Sequence, residues 1–141
     1  MSRKAVFLTS FLIAIPLLIV EPATAACIPS ATRMCLQNNR FSVMIDWRTS
    51  TSSGPGQVAS CGTADSGLFW FFGSNNWEVL VKVLNGCGLN NRYWVFVGTT
   101  TNVGWTMTVT DTLTNVTKIY SSPLNTVSCP ILDTNAFATC P

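Results

Sequence analysis

The sequence predicts an all-β protein, an antiparallel β-sandwich of about seven strands, immunoglobulin-like in architecture and braced by disulfides. Three observations carry this expectation. Apolar and polar side chains alternate with a period of two through most apolar runs after residue 40. The runs are short, and Gly-, Asn-, Ser- and Pro-rich turns separate them. Past residue 26, no stretch repeats at helical spacing over a convincing length. The Cys–Trp–Cys spacing of a true immunoglobulin domain is not matched, so strand order stays open.

Residues 1–26 read as a secretory signal peptide. Arg3 and Lys4 form a basic start, Ala5 to Val20 carries no charge, and Ala23-Thr24-Ala25 supplies a small-x-small cleavage pattern. The apolar run is about 16 residues, short of the roughly 20 that span a bilayer, and no second such run follows. A lipoprotein site ending at Cys27 is the alternative, disfavoured because Thr24 stands where an aliphatic residue is preferred. Residues 27–141 then form a single domain of ordinary size.

Within that domain, Phe41, Val43, Ile45 and Trp47 alternate with Ser42, Met44, Asp46 and Arg48, a strand with one buried face. Thr49 to Gly56 is a polar loop ending in a Gly-Pro-Gly turn, and Gln57 to Ser60 a short edge strand. Leu68 to Phe72 is continuously apolar, followed by the turn Gly73 to Asn76. Trp77, Val79, Val81 and Val83 then alternate with Glu78, Leu80, Lys82 and Leu84. Asn85 to Arg92 reads as a loop stapled by Cys87, and Tyr93 to Val97 as a further strand. Trp105, Met107 and Val109 alternate with threonines suited to a solvated face. A connection at Asp111–Asn115 leads to a hairpin strand over Val116–Ser121. The remaining tail reads as irregular, tied by Cys129 and Cys140.

Six cysteines behind a secretory signal predict three disulfides in an oxidising compartment, extracellular or periplasmic. Sequence alone cannot choose among their connectivities. The domain carries six basic and five acidic side chains, scattered along the chain, so a nucleic-acid-binding stripe is excluded. The absence of histidine removes Ser-His and Cys-His nucleophile pairs and His-ligated zinc. Lys82 and Lys118 lack a Ser-x-x-Lys setting. Asp46 and Glu78 fit cross-strand ion pairs on a solvated face better than a glycosidase pair. Asp65 and Asp111 fit turn chemistry, and no EF-hand spacing exists. No catalytic residue, metal site or cofactor is expected.

The aromatics are the positive signal. Trp47 and Trp77 align with clean apolar stripes and are expected in the core. Trp70, Trp94 and Trp105, with Tyr93 and Arg92 at a strand start, are the candidate ligand contacts. Strands 68–72 and 93–97 are apolar on both faces, so one face packs inward and the other is covered or exposed. Asn115-Val116-Thr117 is a glycosylation sequon.

The blocks CLQNNRFSVMIDWR, DSGLFWFF, WEVLVKVLNGCGLNNRYWVFVG, WTMTVTDTLTN and TNAFATCP resemble a module that recurs in secreted bacterial proteins and has no assigned function. The resemblance covers nearly all of residues 27–141. It implies an extracytoplasmic, independently folding unit and supplies no catalytic residues. It also implies that Cys27 pairs with Cys35 and Cys87 with Cys140, which leaves Cys61 to pair with Cys129. The resulting expectation is a non-enzymatic module contacting a polysaccharide or a protein partner through aromatics on a sheet face. The alternatives are a purely structural or self-associating surface protein and, behind it, a carboxylate-pair hydrolase.

Overall fold

A computed structural model describes residues 26–141. The signal peptide expected over residues 1–26 lies, apart from Ala26, outside the described residues. Ten strands follow: β1 (Met34–Leu36), β2 (Phe41–Arg48), β3 (Ser53–Pro55), β4 (Gln57–Val58), β5 (Ser66–Trp70), β6 (Trp77–Asn85), β7 (Tyr93–Thr99), β8 (Gly104–Asp111), β9 (Val116–Ser122) and β10 (Ile131–Phe137). A single helical turn, α1 (Cys87–Asn90), links β6 to β7. The first sheet runs β1-β2-β8-β9, with β1 and β3 sharing one flank of β2. The second runs β10-β7-β6-β5-β4, and every pairing is antiparallel. The expected all-β sandwich is therefore the observed fold.

The alternating faces meet in the middle. Phe41, Val43 and Ile45 of β2 and Trp105, Met107 and Val109 of β8 are buried against Phe69, Val79, Val81, Val83, Val95 and Val97 of the second sheet. Burying a side chain of this kind contributes about 1.5–3 kcal/mol. Phe41 reaches across the sandwich, its ring centroid 4.9 Å from that of Tyr93 and 5.1 Å from that of Phe137.

The first sheet is locked to the second at the QNNR turn between β1 and β2. Gln37, Asn38 and Asn39 adopt φ values of 52°, 55° and 63°, three successive left-handed residues. Asparagine tolerates this conformation better than most residues, because its short amide bonds locally. The Gln37 amide holds the turn by donating to Asp65 Oδ1 and to the Val83 carbonyl. The turn delivers Arg40 to Asp111, where Nη2 lies 2.8 Å from Oδ2 and Nε donates to Oδ1 at 3.0 Å. Asp111 is fully buried and also accepts the Leu113 N–H, so it combines the expected turn chemistry with an ion pair.

Several expectations are corrected. Trp77, expected in the core, is 49% exposed, whereas Glu78, expected on the solvated face, is 4% exposed. The cause is a β-bulge: Phe69 faces Val79 but Trp70 faces Trp77, so Glu78 is the extra residue and the alternation inverts there. Glu78 then turns inward to accept the Phe71 N–H (2.8 Å) and the Asn76 amide. It makes no ion pair with Lys82. The tail is not irregular, because β10 pairs with β7 and buries Ala136 and Phe137. The polar loop 49–56 holds β3.

Cys27–Cys35 and Cys87–Cys140 are formed as the resemblance implies. Cys61 and Cys129 are free and exposed. Cys61 follows β4 at one edge of the second sheet, and Cys129 precedes β10 at the other. Four strand spacings, about 19 Å, separate those edges. A disulfide needs a Cα separation of about 4.4–6.8 Å. Each cysteine of the third pair thus lies in a loop next to an opposite edge strand, and the expected bond between them is not formed.

Candidate functional site

The inner face of the second sheet is consumed by the core, and its outer face is not. Pairing sets Leu68, Leu80 and Gly98 in one row across β5, β6 and β7. The next row is Ser66, Lys82, Phe96 and Leu132, and Leu84 faces Trp94 beyond it. Leu80 and Leu132 are exposed, and Trp70, Trp94 and Phe96 are half-buried. Gly98 leaves a dip in this surface, since a Cβ there would meet nothing within 4 Å. Leu80, Phe96, Pro130 and Leu132 wall the dip on one side, enclosing about 190 Å³. Leu68, Trp77 and Thr100 continue it on the other, over about 400 Å³.

Local contacts fix the aromatics. The Trp94 indole N–H donates to Asn90 Oδ1 at 2.8 Å, tying it to α1. The ring lies on Gly86, where any Cβ would sit 2.3 Å from it, so only glycine fits. Trp94 and Phe96 stack with centroids 6.1 Å apart and planes at 26°. Lys82 Nζ stands 5.8 Å from the Phe96 centroid, a cation–π distance. Trp70 is flanked by Val58, Ala59 and Cys61 on the β4 side.

Two of the five sequence-predicted contacts are unavailable. Trp105 is fully buried in the core, on the inward stripe of β8. Tyr93 is buried too, its hydroxyl accepting from Arg40 Nη1 at 2.9 Å and its ring 4.5 Å from the guanidinium carbon. Arg92 is half-buried and donates to the neighbouring Asn91 carbonyl. Trp70 and Trp94 lie on the outer face. Sequence reasoning put Leu80 opposite the apolar stripe of its strand but named neither Phe96 nor Leu80 as a contact, and it missed Leu132 because the tail was expected to be irregular. Phe96 shares the parity of Trp94, and that signal was present in YWVFVG. Trp77 could not be found, because the bulge that exposes it leaves no mark in the alternation.

The titratable groups nearby are structural. Burial pushes the Glu78 carboxyl above the ordinary range, only partly countered by the Phe71 N–H and Asn76 bonds. Burial also pushes Asp111 up, but Arg40 and the Leu113 N–H outweigh it and hold the carboxyl below the ordinary range. Burial, then Asp133, raise the Tyr120 phenol, which donates to Asp133 Oδ2 at 2.8 Å and ties β9 to β10. Among the described residues no three His, Cys, Asp or Glu side chains cluster to hold a metal. No helix among them is long and apolar enough to cross a membrane. Comparisons with family models, curated proteins and solved structures return no match.

Proposed function

We propose that the chain is an exported, non-enzymatic binding module, immunoglobulin-like in its two-sheet build, that holds a polysaccharide against the outer face of its second sheet. The observation that carries this reading is the partly open surface of Trp94, Phe96, Leu80 and Trp70 on a sheet whose other face is fully packed. A pyranose ring offers an apolar C–H face that stacks on such aromatics and a rim of hydroxyls that stays wet. The side chains sit on regular strands, so little ordering is lost on binding. Lys82 is the single charge in the rows named, which suits a neutral or weakly acidic polymer. Export is supported by the N-terminal pattern and two disulfides. Hydrolysis is not proposed: the buried carboxylates Glu78 and Asp111 belong to different sheets, each held by its own partners.

The test is depletion of the oxidised protein from solution by insoluble polysaccharides and peptidoglycan. Trp94→Ala is expected to fold and lose retention. Gly98→Leu puts a Cβ in open space and a side chain into the dip, and is expected to abolish retention while leaving stability within about 1 kcal/mol. No retention on any polymer sinks the reading. A face that instead takes a protein partner or a second copy is the next reading, favoured by the exposed aliphatics Leu80 and Leu132.

A further inference from the structure

The bulge that turns Trp77 outward opens a second concavity, about 510 Å³, on the other side of the Trp77–Glu78 peptide. It is more polar than the face, although Val103, Val127 and Phe72 keep much of its lining apolar. Glu78, Asn76, Thr99, Thr100 and Ser128 line it, with Phe72 on its rim at 57% exposure. It shares Glu78, Thr99 and Thr100 with the groove that Gly98 floors, so the two form one continuous surface.

Its polar groups are incompletely matched. Each Glu78 oxygen accepts one N–H, from Phe71 and from Asn76, and each has a further acceptor site. Glu78 has no cationic partner among the described residues. The Thr99 hydroxyl is buried with no hydrogen-bond partner, and Thr99 is one of the residues that line the cavity. A buried carboxylate and an orphan hydroxyl are costly unless a partner supplies donors and acceptors. One carboxylate is too few for a calcium site, which collects six to eight oxygens with several charges. Two adjacent hydroxyls of a sugar match it, donating to the two carboxylate oxygens while threonine and asparagine groups meet the rest.

We infer that this pocket is a sugar-residue subsite, in which Glu78 reads a vicinal diol and Phe72 covers the ring, at the end of the polymer groove. The inference rests on the polysaccharide reading and assigns the polar half of the same site. Glu78 and Thr99 are binding residues here and catalyse nothing.

The test is amide chemical-shift titration of the oxidised protein with soluble methyl glycosides, alongside polymer depletion. Neutral glycosides with a vicinal diol are expected to shift Asn76, Glu78, Thr99, Thr100 and Ser128. Thr99→Val keeps the β-branched shape and removes an unpaired hydroxyl. It is expected to fold at unchanged or higher stability and to bind glycoside about tenfold more weakly. Glu78→Gln is expected to weaken glycoside binding by a similar factor. Trp94→Ala is expected to lose the polymer and keep the glycoside. Polymer retention with no pocket shift from any glycoside overturns the inference and leaves the face reading intact. Pocket shifts without polymer retention overturn the face reading, and the subsite with it. Shifts from calcium or from simple ammonium ions alone overturn the diol assignment.

Discussion

Arg40 and Asp111 show how much a single residue pair can carry here. The guanidinium lies against the Tyr93 ring and grips a fully buried carboxylate at two points. Removing one partner strands the other charge, so Asp111→Ala is expected to cost about 3–5 kcal/mol in chemical denaturation. The pH dependence follows from the lowered carboxyl. The contribution of Asp111 is present above the unfolded carboxyl's range and is lost as pH falls through the folded value. Wild type should therefore lose stability on acidification more steeply than Asp111→Asn. A parallel pH dependence of the two would refute the assignment. Trp105 and Trp94 make a second contrast. Trp105→Ala empties a fully buried site and is expected to cost about 3–5 kcal/mol, whereas half-buried, solvent-facing Trp94→Ala should cost less than half as much. The Arg40 partnership was not legible in the sequence, since 71 residues separate it from Asp111. The Trp105 site was legible as a stripe, Trp105-Met107-Val109, but its inward direction depends on the opposing sheet.

At the scale of the element, β6 is where pattern reading fails and where the site begins. From Val79 to Val83 the strand alternates as the sequence suggests. At Trp77–Glu78 it does not, because Glu78 leaves the ladder to close the Gly73–Asn76 turn. Strict alternation would place Trp77 inside and the carboxylate outside. The hydrogen-bond demand of the Phe71 N–H and Asn76 reverses that order. The cost of burying the carboxylate has a pH signature opposite to that of Asp111. A carboxyl raised by burial contributes stability that is full below the unfolded value, about pH 4.3, and is lost as pH rises through the folded one. Glu78→Gln removes this titration, and the exposed Asn76 amide can flip to accept from the new amide. The variant should thus gain stability relative to wild type between about pH 4 and neutrality. A difference that is constant over that interval would mean the carboxylate is solvated. β10 and α1 escaped the sequence for another reason. Their segments lack an alternating run, and their order comes from pairing with β7 and from the Cys87–Cys140 bond.

For the molecule as a whole, the two disulfides do unequal work, and the two thiols mark a boundary. Cys87–Cys140 closes a sequence separation of 53 and fastens the last strand's end to the β6–β7 turn, whereas Cys27–Cys35 closes a separation of 8 beside β1. Loop-closure entropy of the unfolded chain assigns about 4 kcal/mol to the first and about 2.5 kcal/mol to the second. Replacing Cys87 and Cys140 together by serine should thus lower the denaturation midpoint more than replacing Cys27 and Cys35. The reverse order would show that strain or residual structure outweighs chain entropy. The class of fold was legible because alternation and turn chemistry act locally. The separation of Cys61 from Cys129 was not, because it follows from a strand order, β10-β7-β6-β5-β4, that no local signal encodes. Alkylation of the folded, non-reduced protein separates the two accounts. With the pair held at opposite edges of the sheet, a monomer should take two labels, on Cys61 and Cys129, and retain its other bonds. No labelling of a monomer would mean that Cys61 and Cys129 are bonded to one another, and would refute the free thiols and the separation that the strand order gives them.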